Sequence, residues 1–552
     1  MRILIFLMLL LQLIFTGFQV EVTPQEITEV ITVEDDVESG GQVIFGAETK
    51  KVAHEFEEAD SYYAMAPSAA MSAPTRAPAV GAAPFPQDFE EYSPLADQGF
   101  IKTSTNPLST FAADVDTASY ANIRRMINDQ QRIPPDAVRI EELINAFSYS
   151  DPAPEDGAPL AIHTKVATCP WNENHLLLRI GMKAQTIETE SLPPLNLVFL
   201  IDSSGSMQDA NKLPLVKRSF ALLTEQLRPE DRVSIVTYAG SASVLLEGAH
   251  GDQKAKILSA LDGIDAWGST AGAQGIETAY EIAERFASPS VQTRVLLATD
   301  GDFNVGISSE AELIRFIEQK RDMGIFLSVL GYGYGNLKDN KMQALADHGN
   351  GNATYIDTIH QARRALVEEM GATLVTVAKD VKLQVEFNPA TVEGYRLIGY
   401  ENRRLANEDF RDDAKDGGEI GSGHGVVALY ELIPSGAGEL PGDELVYQQK
   451  AVSDSADYAT VYLRYKEPDG DTATEMKQVV GEDAFADEMD QDFALSAALA
   501  AFGLMLSDSD YAGTASEQMV LELIQPMLST DVGGRIVEFS ALVRWSGGLY
   551  GE

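Results

Sequence analysis

The sequence predicts an α/β fold: a doubly wound, mostly parallel sheet with a flanking antiparallel β module and helical segments. Three observations lead there. Leu195-Asn196-Leu197-Val198-Phe199-Leu200-Ile201 is apolar except for Asn196 and stops abruptly at Asp202-Ser203-Ser204-Gly205-Ser206-Met207. Such a run fits a strand buried on both faces, as central strands of parallel sheets are. A second run, Arg294-Val295-Leu296-Leu297-Ala298-Thr299, ends in the same way at Asp300. From residue 195 to about residue 370, strand-like runs alternate with helical patterns, the repeat of a doubly wound domain.

The chain has 552 residues, 45% hydrophobic and 23% charged, a globular composition long enough for about three domains. Its formal charge of −43 repels nucleic acid and anionic lipid surfaces, so nucleic-acid recognition is not expected. One cysteine, Cys169, excludes an intrachain disulfide and a thiolate zinc cluster, and reads as a buried, inert thiol.

In residues 1–18, Arg2 precedes an apolar stretch short for a membrane span, the outline of a signal peptide or an N-terminal anchor. No A-x-A cleavage pattern follows, so cleavage stays open. Export to the periplasm, the cell envelope or the medium is the expectation. Residues 19–99 are acidic and then rich in Ala, Pro and Ser, a disordered linker with a short strand near 27–33. Residues 100–194 hold helical patterns at 117–127 and 138–147 and strand runs at 161–166 and 175–182. In the domain at 195–370, strands are expected at 195–201, 232–238, 243–246, 294–299, 325–330 and 353–355. Helices are expected at 213–227, 253–261, 273–286, 310–323 and 339–348.

After residue 371 the period changes to two: 381–387, 395–398, 426–432 and 459–465 read as an antiparallel module. The acidic stretch 467–492 reads as a solvated excursion, with helices at 493–506 and 518–528 in the rest of 371–552. Two strands before the α/β domain are too few to be stable alone. They are expected to pair with the module after it, leaving the α/β domain as an insertion.

The polar ends of the two buried runs carry the chemistry. One carboxylate and two hydroxyls at Asp202, Ser204 and Ser206, spaced i, i+2, i+4, can point at one hard cation. Trp267-Gly268-Ser269-Thr270-Ala271-Gly272 offers the Thr270 hydroxyl from a small-residue loop that opens a helical pattern. Taken alone, Asp202-Ser203-Ser204-Gly205-Ser206 also fits a helix cap and turn.

With the distant Thr and Asp in order, the sequence resembles the von Willebrand factor type A domain and its metal-ion-dependent adhesion site. The resemblance assigns the five ligand roles to Asp202, Ser204, Ser206, Thr270 and Asp300. Mg²⁺ suits a site of small oxygen ligands that keeps waters, and Mn²⁺ fits as well. A carboxylate from a protein partner would fill the open position, as the resemblance to adhesion-type domains implies. Asp302 is either a group that orients a metal-bound water or an exposed turn carboxylate.

Motifs outside the α/β domain, among them Asn106-Pro107-Leu108-Ser109-Thr110-Phe111, Arg132-Ile133-Pro134-Pro135 and Tyr395-Arg396-Leu397-Ile398-Gly399-Tyr400-Glu401-Asn402, are similar to one family. It consists of exported bacterial type A domain proteins with a C-terminal domain of unknown function. The resemblance runs from about Asn106 onward and brings no reaction with it.

An enzyme reading finds little. Ser204 and Ser206 lack a G-x-S-x-G elbow and an implied base, and the seven histidines form no H-E-x-x-H. The expectation is a non-enzymatic, metal-dependent protein-binding module with membrane contact only through an uncleaved N-terminus. An assembly or chaperone-type factor beside an ATPase is the alternative, and a hydrolase comes third.

Overall fold

The computed structural model describes residues 92, 94 and 98–549, apart from 114–115, 188–191, 269–271, 302–309, 334–338, 369–374, 414, 416, 441–454, 469, 471 and 532. The expected signal segment and the short strand near 27–33 therefore lie outside the described residues.

Ahead of the α/β domain come β1 (Ile101–Lys102), β2 (Leu108–Ala112), helices α1 (Ala118–Asn128) and α2 (Ile140–Asn145), and the hairpin β3 (Leu160–Cys169) with β4 (Asn172–Ala184). The α/β domain then runs β5 (Leu195–Asp202), α3 (Leu213–Gln226), β6 (Arg232–Tyr238), β7 (Ala242–His250), α4 (Lys254–Asp262), α5 (Gly272–Phe286) and β8 (Gln292–Thr299). It continues through α6 (Glu310–Arg321), β9 (Ile325–Tyr332), α7 (Asp339–His348), β10 (Ala353–Ile356) and α8 (Ile359–Arg363).

Its sheet has the order β10-β9-β8-β5-β6-β7, parallel throughout except for the antiparallel edge strand β7. Every residue of β5 is buried, and its side chains alternate between two cores. Leu197, Phe199 and Ile201 face the layer that holds Val216 and Phe220 of α3; Val198 and Leu200 face the layer that holds Ile276 and Tyr280 of α5. Helices thus cover both faces, which is why β5 reads as a continuous apolar run. The chain leaves β5 towards β6 on one side and returns to β8 on the other. That reversal puts a topological switch point, where open α/β sheets bind ligands, between the carboxyl ends of β5 and β8.

Beyond the domain follow β11 (Thr376–Phe387), β12 (Val392–Ile398), β13 (Gly418–Gly421), β14 (Gly425–Pro434), β15 (Ala459–Lys466) and β16 (Ala473–Val480). Helices α9 (Gln491–Leu506), α10 (Glu517–Ile524) and α11 (Arg535–Ser546) complete the order. The strands form two antiparallel sheets, β1-β12-β14-β4-β3 and β13-β11-β15-β16 with β2 paired to β11. β4 pairs with β14 from Leu176↔Leu432 to Lys183↔Gly425, so strands from before and after the α/β domain share one sheet, as expected.

That sheet is buried on both sides. Ala428 and Tyr430 of β14 join Leu178 and Ile180 of β4 in a core shared with Leu383 and Leu463 of the second sheet. Val427 and Leu429 face the helical layer. Its central helix, α9, is apolar nearly all round, as a helix enclosed on every side must be. Polar pairs join the α/β domain to this platform: Arg124 of α1 is bidentate to Asp357, at 2.5 and 3.0 Å, and Gln343 donates to Glu142 Oε1 at 2.7 Å.

Two expectations need correcting. The acidic stretch 467–492 is not simply a solvated excursion, because it contains β16, paired with β15 from Ala459↔Val480 to Lys466↔Ala473. An edge strand needs backbone partners on one side only, so Glu475, Lys477 and Gln478 can stay in water. The tail also holds a third helix, α11, that the pattern did not announce.

Candidate metal centre

The end of β5 delivers Asp202 and a tight turn at the switch point. Ser204 N–H donates to Asp202 Oδ1 at 2.8 Å, and Met207 N–H donates to the Ser204 carbonyl at 3.0 Å. This winding brings the hydroxyls of Ser204 and Ser206 to 3.0 Å from each other. The neighbouring loop is tied down by its backbone: Gly205 N–H donates to Gly268 O at 3.1 Å and Trp267 N–H to Ser203 O at 2.9 Å. Thr270, two residues beyond Gly268, lies outside the described residues, as does Asp302.

β8 lies beside β5 with Ile201 opposite Ala298, so Asp300, the residue directly after β8, reaches the same end of the sheet. Four of the five expected ligands are thereby gathered at one place. Burial pushes the Asp202 carboxyl up to about 6, with the Asp300 charge adding to the rise and the Ser204 and Tyr238 hydrogen-bonding groups opposing it. Asp202 Oδ2 is buried and makes no hydrogen bond of good geometry, although the Tyr238 phenol lies near.

Lys212, at the start of α3, was not anticipated. Its Nζ donates to Asp300 Oδ2 at 2.9 Å, with Lys212 5% and Asp300 2% exposed. Nothing in its spacing from Asp300 marked it. Two carboxylates against one ammonium leave this buried cluster at −1. A buried carboxylate oxygen that lacks a well-formed hydrogen bond, beside surplus negative charge, is what a cation would relieve. Among the described residues no three His, Cys, Asp or Glu side chains form a metal cage, so an ion here would depend on the serine hydroxyls as well. The residues present fit a small, hard cation.

The comparisons agree with the fold. The model of the von Willebrand factor type A domain matches residues 196–368, and a further von Willebrand factor model matches residues 86–179. The model for the C-terminal region of the uncharacterized protein YfbK matches residues 372–549. Over 470 residues, the chain is 40% identical to the uncharacterized protein YfbK of Escherichia coli (strain K12), spanning 83% of this chain and 81% of that one.

The chain belongs to the YfbK family. Its central domain is a von Willebrand factor type A domain, and the antiparallel sandwich with its helical layer is built from the regions on either side. The uncharacterized protein sll0103 of Synechocystis is 26% identical over 34% of this chain and 43% of its own length. Among solved structures, a von Willebrand factor type A protein from Catenulispora acidiphila is 17% identical over 68% of this chain and 89% of that one, with a TM-score of 0.41.

Proposed function

We propose that this YfbK-family chain is a non-enzymatic binding module of the cell envelope that grips an acidic group on a protein partner through a divalent cation. Asp202, Ser204, Ser206, Thr270 and Asp300 would hold the ion, Mg²⁺ by preference and Mn²⁺ as a substitute. When bound, the ion would supply a Lewis-acidic position that a partner carboxylate can complete. The chain's own part is to present the donors. The Ser204 N–H fixes one oxygen of Asp202, and the turn aligns the two hydroxyls.

The observation that carries the reading is the buried Asp202 oxygen that lacks a well-formed hydrogen bond, set beside a second carboxylate at the switch point. Binding is favoured over catalysis because the serine hydroxyls face each other. His163, His175, His250 and His348 are engaged elsewhere, with Pro152 O, Glu431, Pro229 O and Glu318. Export through residues 1–18 belongs to the same proposal.

Calorimetry with Mg²⁺ and Mn²⁺ should show saturable binding by the wild type and none by Asp202→Ala. Equal binding by the two proteins would remove the site. Capture of an envelope protein that is lost on adding EDTA would then supply the partner. Recovery of the chain from the cytoplasm would instead favour the assembly-factor alternative.

A further inference from the structure

Lys212 is costly where it stands. Its ammonium is buried and sits at the amino end of α3, where the helix dipole disfavours a cation. Its position is nevertheless built. The aliphatic stem lies against Gly333, just past β9, where an added Cβ would overlap Lys212 Cε and Cγ. Gly333 has φ +76°, a conformation that suits glycine. The ammonium is thereby held at 2.9 Å from Asp300 Oδ2.

We propose that Lys212 sets the charge of the metal site, lowering its affinity for a divalent cation and raising the loaded site's affinity for a carboxylate. This rests on the metal-dependent reading above. With Asp202, Asp300 and Lys212 at −1, a bound dication leaves the cluster at +1. Without the ammonium, the same ion would be neutralised by the two carboxylates. A net positive centre in a poorly solvated site draws an anion from outside, whereas a neutral one does so weakly. Lys212 is a specificity-determining residue in this scheme, acting on the ion through Asp300.

The test uses the full chain as wild type, Lys212→Met and Lys212→Arg, with thermal unfolding to verify the fold. Mn²⁺ affinity is read by calorimetry, and acetate binding to the Mn²⁺-saturated proteins by water-proton relaxation. Lys212→Met should bind Mn²⁺ about tenfold tighter and acetate several-fold more weakly, the scale of one nearby unit charge. Lys212→Arg keeps the charge and should stay near wild type. Should Lys212→Met not fold, Lys212→Gln against Lys212→Arg makes the same comparison. Equal Mn²⁺ affinity with and without the charge overturns the proposal and leaves the metal site standing. No Mn²⁺ binding by any of the proteins overturns both readings. Binding by the neutral variant alone supports the role of Lys212 while ending the metal-dependent reading of the wild type.

Discussion

Buried charge recurs throughout the described residues, and Glu141 shows what it costs. Its carboxyl is buried against Glu401 and Glu142, and burial followed by those two charges pushes it up to about 8, against the Tyr400 and Glu141 backbone N–H groups. Glu142, by contrast, accepts from Ser119 N–H at 2.7 Å, Arg139 at 3.2 Å and Gln343 at 2.7 Å. Between pH 4.5 and 8 the folded state holds a proton on Glu141 that the unfolded chain has released. Stability from this group is therefore greatest below pH 4.5 and falls as pH rises towards 8. Glu141→Gln mimics the protonated form, so its melting temperature should exceed wild type at pH 8 and approach it at pH 4.5. An unchanged difference across that range would show that Glu141 is ionised in the fold.

Elements meet most tightly where β11 receives neighbours from both sides of the α/β domain. Ala113, just past β2, donates its N–H to Val381 O at 3.0 Å, while Gly418 of β13 pairs opposite Val381. A Cβ on Gly418 would overlap the Ala113 carbonyl, a backbone group with no room to yield. Gly418→Ala should therefore destabilise the protein by at least about 2 kcal/mol in denaturant unfolding. A neutral result would mean that β2 and β13 do not approach in this way. β1 (Ile-Lys), β2 (Leu-Ser-Thr-Phe-Ala) and β13 (Gly-Glu-Ile-Gly) offer neither an apolar run nor a clear alternation, so the sequence does not mark them as strands. β16 was hidden for another reason: most of its side chains are those of a solvated segment, and only Val480 and the half-buried Met476 join the core.

At the scale of the whole molecule, the α/β domain is an insertion in a sandwich that needs both flanks. Residues 195–368 carry almost all of the two cores that cover their sheet, so they should fold alone with a cooperative melt. Residues 371–552 alone would leave β14 without β4 and expose the face that Leu178, Ile180 and Met182 cover. That fragment should lack cooperative unfolding, and co-expression with residues 98–187 should restore it. A cooperative transition in the isolated C-terminal piece would show that the shared sheet is dispensable.

The sequence by itself determined the type A domain and the local chemistry of its site. Strands buried on both faces must be apolar, and the tight turn after β5 must be small and polar, so both leave a mark on neighbouring residues. Only the tertiary structure decided which strand ends meet. β8 lies next to β5 because the chain reverses direction across the sheet, and that placement brings Asp300 to Asp202 and Lys212 to Asp300. Pairings across 88 residues of chain are fixed by packing of the whole domain, and packing of that kind writes no spacing into the sequence.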